Sequence, residues 1–332
     1  MELRRIGTSD IRVTPIAMGC WPIAGMTSLG VTDEDSLATL EAAVDAGVNF
    51  FDTAYCYGAN GESEDRIARA LGPVRDKIVL ATKGGIHWGP DGKQVRDASP
   101  VTLKRECAES LRRLRTDRVE LLYLHAPDPS IPIEESAAAL AQLQREGKAL
   151  TIGLSNASVE QLTRFHAVCP LSAYQPHYNM LQREIEDNQL PWCVANHVSV
   201  MVYWPLLKGL LAGKLPRDHV FDPRDGRAKY AMFHGEEWRK NHDFVDELRV
   251  VADQAKRTFR NSFLTGRSAG PASPSPSLRA KRPDQIRESA AAMNFQLTDA
   301  EIEAIDAAIA KRGPSISRRR FMNAPRPRRQ AT

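Results

Sequence analysis

The sequence predicts an α/β protein built as a (β/α)8 TIM barrel, and three observations support that prediction. Between residues 34 and 206, short apolar runs rich in β-branched residues alternate with longer helical segments, as in repeated βα units around a parallel sheet. These runs are apolar on both faces, which indicates strands that are covered on both sides. The residues after the first run read CWPIAG, not the GxGxxG that is typical of a doubly wound dinucleotide-binding sheet.

Seven runs are predicted to be strands. They are VTPIAMG (13–19), GVNFFD (47–52), KIVLATK (77–83), VELLYLH (119–125), ALTIGLS (149–155), LSAYQ (171–175) and VSVMVY (198–203). Helices are predicted between them, and the clearest, DEDSLATLEAAVDAG (33–47), has acids in its first turn and Gly47 just past its end. Residues 207–242 look like an inserted loop above the sheet. Two helices, 283–293 and 298–312, are predicted to close the chain, the second with Thr298 as its N-cap.

Composition narrows the class of protein. The net charge is +4, but a tail over 313–332 carries six arginines and no acid, so the rest of the chain is slightly acidic. We therefore expect one barrel domain over 1–312 and a disordered basic tail over 313–332, with no nucleic-acid or membrane partner. Five cysteines without a CxxC pair argue against disulfides and a zinc site. The charged N-terminus and the absence of a long apolar stretch predict a cytoplasmic protein and no metal requirement.

Polar side chains end one predicted strand after another. They are Asp52, Lys83, His125, Asn156, Gln175 and Tyr203. In a barrel the carboxyl ends of all strands meet at one opening, where catalytic residues lie. A single such residue could simply begin a solvated loop, but six in succession predict one site.

The sequence around these residues resembles the aldo-keto reductase family. The segment DTAYCYG (52–58), followed by Glu62 and Glu64, resembles the family signature DTAxxYG. Further similar blocks follow the family order: GCW (19–21), ATKGG (81–85), YLHAPDP (123–129), GLSN (153–156) and YWPLLKGLLAGK (203–214). The resemblance covers residues 1 to 256 and 280 to 310. It implies a barrel enzyme that reduces an aldehyde, ketone or sugar carbonyl, or oxidises the alcohol, with a nicotinamide cofactor.

The resemblance implies a catalytic tetrad of Asp52, Tyr57, Lys83 and His125. A phenol is a weak acid at neutral pH unless a nearby cation lowers its pKa, so Lys83 is expected to assist Tyr57 as the general acid. Asp52 would hold the ammonium group of Lys83 in place. His125 would orient or polarise the substrate carbonyl.

The resemblance also implies the cofactor contacts. Ser155, Asn156 and Gln175 would bind the carboxamide, Tyr203 would stack on the nicotinamide, and Leu207, Gly209 and Leu210 would lie over the pyrophosphate. Gly19 and Trp21 are assigned to the same site, and Lys281, Arg282, Gln285 and Glu288 to the adenosine end. A cation pair at a helix start suits a 2′-phosphate, which favours NADPH over NADH, with NADH still possible. Ser289 and Trp204 depart from residues common in the family, which are Asn and Ser.

Two other functions stay open at this point. Trp21, Tyr55, Trp88 and the 207–242 loop are expected to wall a pocket with few charges, suited to a small carbonyl compound. A nicotinamide-binding regulatory protein, resembling the β-subunits of potassium channels, is the main alternative. A lyase or isomerase on the same fold is the other, because fold does not fix function.

Residues 257–279 do not fit the predicted barrel. This stretch should supply the eighth strand, yet it contains Pro271, Pro274 and Pro276 and no Val or Ile. We therefore expect no regular strand over 272–278 and a barrel open or weakly closed between its first and seventh strands. Either a local reading-frame slip corrected near Ala280 or a genuine flexible insertion would explain the segment.

Overall fold

Eight parallel strands close into a barrel in the computed structural model, which describes residues 3–25, 30–254, 275–294 and 296–315. The strands are β1 (Ala17–Gly19), β2 (Phe50–Asp52), β3 (Val79–Gly84), β4 (Val119–Leu124), β5 (Ala149–Ser155), β6 (Ala173–Gln175), β7 (Ser199–Tyr203) and β8 (Ser275–Arg279). Each strand pairs in parallel with the next one along the chain, and β8 pairs with β1 to close the ring. The predicted TIM barrel and all seven predicted strands are confirmed.

Helices surround the barrel. In the described residues they are α1 (Asp33–Asp45), α2 (Glu62–Leu71), α3 (Pro100–Leu114), α4 (Ile133–Arg145), α5 (Val159–Val168), α6 (Gln189–Ala195), α7 (Gly235–Gln254), α8 (Pro283–Ala290) and α9 (Asp299–Arg312). The predicted N-cap of α9 is confirmed, because Thr298 and Glu301 form a reciprocal capping box. Over 207–242 the chain makes short 3-10 turns before α7 begins, consistent with the predicted loop.

The expectation of an open barrel is wrong. Ser277 of β8 lies opposite Tyr203 of β7 and Ala17 of β1, so the strand bridges its two neighbours. Its side chains alternate, as strand geometry requires: Leu278 joins an apolar cluster with Ile16, whereas Ser277 reaches a carboxylate inside the barrel. Strand β8 therefore needs only one large apolar side chain. The part of the reading-frame hypothesis that concerns residues 257–274 lies outside the described residues.

Packing separates three apolar clusters. The largest fills the space between the strands and helices α1 to α5. A second fills the barrel interior with residues such as Phe50 and Tyr123. The third joins the 207–242 loop to α7, α9 and Leu278. This packing supports the carboxyl ends of the strands, which together we call the mouth.

Hairpins flank the barrel at both ends. Arg4–Arg5 and Arg12–Val13 pair in front of β1, and Ile86–Trp88 pairs with Gln94–Arg96 beyond the end of β3. No helix in the described part of the chain is long and apolar enough to cross a membrane. Most of the basic tail predicted over 313–332, from residue 316 onward, lies outside the described residues.

Candidate active site

A buried ion pair lies at the centre of the mouth. Lys83 near the end of β3 donates from Nζ to Asp52 Oδ1 at 2.5 Å and to the Thr53 carbonyl oxygen at 2.6 Å. Asp52 Oδ2 also accepts from Ser277 Oγ at 2.7 Å and from Gln175 Nε2 at 3.1 Å. These donors compensate the buried carboxylate, as a buried charge requires. Burial alone would lower the pKa of Lys83, but Asp52 and Tyr57 raise it above its usual value, so the ammonium group stays charged.

Tyr57 stands next to this ammonium group. Its Oη lies 3.4 Å from Lys83 Nζ, and its ring packs edge-on against Trp21 with the centroids 5.0 Å apart. Burial raises the pKa of Tyr57, and the nearby Lys83 charge opposes the rise without cancelling it. Lys83 therefore lowers the pKa of Tyr57, as expected, but the pKa is still above its usual value because burial has the larger effect. The phenol is protonated at neutral pH and has a proton to give.

The turn that presents Tyr57 depends on a glycine. Gly58 has a φ of +104°, and a Cβ there would lie 1.9 Å from Glu62 Oε2 and 2.7 Å from the Glu62 backbone nitrogen. An L side chain cannot occupy that position without moving the backbone. Gly58 thus fixes the path of the loop that carries Tyr57 into α2.

His125 follows β4 and faces Tyr57 across the mouth. The two rings meet edge-on with centroids 6.1 Å apart, and His125 Nδ1 lies 3.7 Å from Cys56 Sγ. Burial lowers the pKa of His125 to about 3, with smaller contributions from the Lys83 and Arg96 charges. The imidazole is neutral at neutral pH, so it can polarise a carbonyl through a hydrogen bond.

A chain of polar groups links the ends of β5, β6 and β7. Tyr203 Oη donates to Asn156 Oδ1 at 2.6 Å, and Asn156 Nδ2 donates to the His125 carbonyl oxygen at 3.0 Å. Ser155 Oγ donates to the Gln175 carbonyl oxygen at 2.7 Å. Because Gln175 also bonds Asp52, the structure brings all six strand-end residues singled out in the sequence to one mouth.

The loop after β7 has a strained backbone. Leu207 and Lys208 have φ values of +43° and +55°, and Gly209 has +93°. Positive φ in non-glycine residues is typical of loops whose shape serves a ligand. Leu207 and Leu210 are buried beneath this turn. Lys208 Nζ lies 3.3 Å from the ring centroid of Trp204, which adds positive charge beside the mouth.

Helix α8 begins four residues after the end of β8. At its start the Lys281 backbone nitrogen donates to Gln285 Oε1 at 3.0 Å, while Arg282 Nε lies 3.4 Å from Asp284 Oδ1. Glu288 pairs with Lys214 at 2.8 Å. The structure therefore places Lys281 and Arg282 at a helix N-terminus, where phosphate is favoured. Ser289 Oγ bonds the Gln285 carbonyl oxygen within the same helix.

The structure shows the surroundings of three residues that the sequence assigned to the pocket or the cofactor site. The Tyr55 hydroxyl donates to Glu109 of α3 at 2.6 Å, and the Tyr55 ring packs against Arg113, so the role of Tyr55 as a pocket wall stays a prediction. Trp88 Nε1 donates to the Cys56 carbonyl oxygen at 2.9 Å, beside the Tyr57 loop. Gly19 ends β1, and a Cβ there would lie 2.8 Å from Ser277 Oγ. Gly19 therefore allows β8 to approach.

Sequence reasoning missed Ser277 and Arg279. Ser277 holds Asp52, and Arg279 ends β8 with its guanidinium carbon 5.9 Å from the Trp21 ring and 5.7 Å from the Trp204 ring. The rule that found Asp52 and Lys83, a polar residue at a strand end, also applies to Arg279. It was not applied because SPSLR was not predicted to be a strand.

The geometry of the mouth defines a class of enzyme. A protonated phenol beside a buried ammonium group, with a neutral imidazole across from it, is suited to moving a proton on and off a carbonyl oxygen. These groups lie beside the hydrogen-bonded amides of Asn156 and Gln175. The family model described as the Aldo/keto reductase family matches residues 15–310, and the chain belongs to that family.

Individual relatives agree with this assignment. Aldo-keto reductase YhdN of Bacillus subtilis (strain 168) is 35% identical over 254 residues, which cover 76% of each chain. The NADH-specific methylglyoxal reductase of Escherichia coli (strain K12) is 31% identical and covers 89% of this chain and 94% of its own. Among solved structures, the glycerol dehydrogenase from Gluconobacter oxydans is 34% identical with a TM-score of 0.88, over 95% of this chain and 97% of that one.

Proposed function

We propose that this protein catalyses the NADPH-dependent reduction of an aldehyde, ketone or sugar carbonyl to an alcohol, or the reverse, with Tyr57 as general acid and base. The observation that carries the proposal is the 3.4 Å approach of Tyr57 Oη to Lys83 Nζ, with Lys83 held by Asp52 at 2.5 Å. A phenol needs such a cation to release its proton at a useful rate.

Each member of the tetrad has a distinct task in this proposal. A reduced nicotinamide, when bound, would supply a hydride for the carbonyl carbon. Tyr57 donates its proton to the carbonyl oxygen. Lys83 stabilises the phenolate that remains, and Asp52 keeps Lys83 charged and in place. Neutral His125 orients the carbonyl by a hydrogen bond. In the direction of alcohol oxidation Tyr57 takes the proton back.

The residues present fit a nicotinamide dinucleotide. Ser155, Asn156 and Gln175 offer donors and acceptors for the carboxamide, and the ring of Tyr203 lies beside them, suited to stack on the nicotinamide. Trp204 Nε1 is buried and has no acceptor among the described residues, which supports a ligand that supplies one. Trp21 and Gly19 at the end of β1 complete this side of the mouth in the proposal.

The proposal also assigns residues to the pyrophosphate and to the adenosine end of the cofactor. Leu207, Gly209 and Leu210 would cover the pyrophosphate, and Lys281, Arg282, Gln285 and Glu288 would hold the adenosine end. The cations Lys281 and Arg282 support NADPH as the preferred cofactor, although one relative is named as NADH-specific. A fluorescence titration with both cofactors tests this preference.

The decisive experiment compares two tyrosines. We expect wild-type protein to consume NADPH with at least one member of a panel of small aldehydes, ketones and sugars. Tyr57→Phe should lower this rate about 10²-fold or more and leave the NADPH dissociation constant unchanged, because it removes the transferable proton and little binding surface. Tyr55→Phe is the matched control, since that hydroxyl bonds Glu109.

Two outcomes would contradict the proposal. Near wild-type turnover of Tyr57→Phe would exclude its role as the acid. Tight NADPH binding without consumption of any carbonyl would instead favour the regulatory protein, which the names of the relatives do not support. A cytoplasmic location, a small carbonyl substrate and the expectation of no nucleic-acid or membrane partner stay predictions.

A further inference from the structure

Arg279 places a cation at the mouth beside the proposed general acid. It is the last residue of β8 and lies opposite Gly19 in the ladder with β1. The guanidinium group of Arg279 lies near aromatic side chains of the mouth. That group lies 5.9 Å from the ring of Trp21, and Trp21 in turn packs on Tyr57.

Arg279 has no ion-pair partner among the described residues. Within residues 3–25, 30–254, 275–294 and 296–315, no carboxylate forms an ion pair with Arg279 and no acceptor hydrogen-bonds it. Burial lowers the pKa of Arg279 from its usual value, although a guanidinium stays charged in proteins. The neighbouring cation Lys83 shows the contrast, because Asp52 compensates it at 2.5 Å. Arg279 is half-buried, and a guanidinium without a paired carboxylate is a suitable partner for an anion.

Other groups around Arg279 add to an anion-binding character. The ring of Trp204 lies 5.7 Å from its guanidinium carbon, and Trp204 Nε1 is a buried donor without an acceptor in the described part of the chain. Lys208 contacts the same ring at 3.3 Å. The aromatic rings of Trp21 and Trp204 make the walls of this part of the mouth apolar. Arg279 and Lys208 make one edge of it positively charged.

We propose that Arg279 binds a carboxylate on the substrate, so that the enzyme prefers carbonyl compounds that carry an acid group. This inference rests on the proposed reductase function. A guanidinium binds a carboxylate through two parallel hydrogen bonds, which would fix the orientation of the carbonyl group near Tyr57. The position favours substrate over cofactor phosphate, because Arg279 lies near Trp21, which packs on Tyr57, whereas Lys281 and Arg282 stand at the α8 terminus.

The test uses a matched pair of aldehydes. 4-Carboxybenzaldehyde carries the acid, and methyl 4-formylbenzoate is its uncharged ester. For wild type we expect a higher kcat/KM with the acid. Arg279→Met should lower kcat/KM for the acid about ten- to a hundredfold, the value of a charge-assisted contact, and change the ester by less than about threefold. Arg279→Lys should restore part of the loss.

Arg118→Met is the control for nonspecific effects of losing a positive charge. Arg118 precedes β4 at the opposite end of the barrel and is 46% exposed, so we expect its variant to treat both aldehydes like wild type. Equal losses for acid and ester in Arg279→Met would overturn the proposal. A weaker NADPH affinity with unchanged acid preference would also overturn it, because the guanidinium would then serve the cofactor.

A binding measurement separates this inference from the reductase function. Benzoate cannot be reduced under these conditions, and its binding next to Trp21 and Trp204 should quench tryptophan fluorescence. Saturable quenching by benzoate that is lost in Arg279→Met, with methyl benzoate inactive in both proteins, would support the anion site even if no aldehyde were consumed. Absence of benzoate binding by the wild-type protein would overturn it.

Discussion

The substitution Ser277→Ala tests how much the hydrogen bond between β8 and Asp52 stabilises the protein. Ser277 Oγ donates to Asp52 Oδ2 at 2.7 Å, and both side chains are buried. A hydrogen bond to a charged group contributes about 1.5–3 kcal/mol to stability. With an unfolding entropy of about 2.1 cal/mol/K per residue, the 332-residue chain should melt about 2–4 °C lower.

Ser275→Ala is the matched control in the same strand. Ser275 is equally buried, at 4% exposure, and its side chain makes no hydrogen bond with the rest of the described protein, so we expect a change within about 1 °C. Melting is followed by calorimetry. A double-mutant cycle with Asp52→Asn should reduce the cost of Ser277→Ala, because the partner is then neutral. Equal melting shifts for Ser277→Ala and Ser275→Ala would refute the stabilising role of the hydrogen bond between Ser277 and Asp52.

Three further predictions concern the cofactor, pH and the catalytic loop. Lys281→Met should weaken NADPH about ten- to a hundredfold and NADH little; equal losses in fluorescence titrations would contradict the 2′-phosphate assignment. His125 has a pKa of about 3 when folded against 6.5 normally, so the stability from its neutral form is complete above pH 6.5 and lost as pH falls towards 3. Between pH 6.5 and 5 urea unfolding should show a loss of about 2 kcal/mol that is absent in His125→Gln. Gly58→Ala should lower both the melting temperature and kcat, since its Cβ would overlap Glu62; a wild-type melt would contradict this.

Much of the candidate site could be predicted from the sequence, because most of its residues are identified by their place at the end of a strand. A polar residue that ends an apolar run lies at the mouth wherever the run is a barrel strand. Asp52, Lys83 and His125 could therefore be assigned to the site from the sequence, without any interatomic distance. Tyr57 comes from a loop and was found through the family resemblance. The net pKa of Tyr57 was not predictable, since it depends on how deeply the ring is buried relative to its distance from Lys83.

Strand β8 shows where a pattern rule fails for a physical reason. The rule expects β-branched residues because most barrel strands are covered by apolar groups on both faces. In β8 the inward face meets the charged end of the interior, where Ser277 is useful because it donates to Asp52, and the outward face needs only Leu278 to fill its place beside Ile16. Pro276 lacks a donor, but Ser277 continues the ladder to both neighbours. The residues that made SPSLR look unlike a strand therefore include Ser277 and Arg279, which connect this strand to the site. A sequence rule that considers the two faces of a barrel strand separately, and allows a polar residue where that face meets a charged side chain, would have predicted SPSLR as a strand.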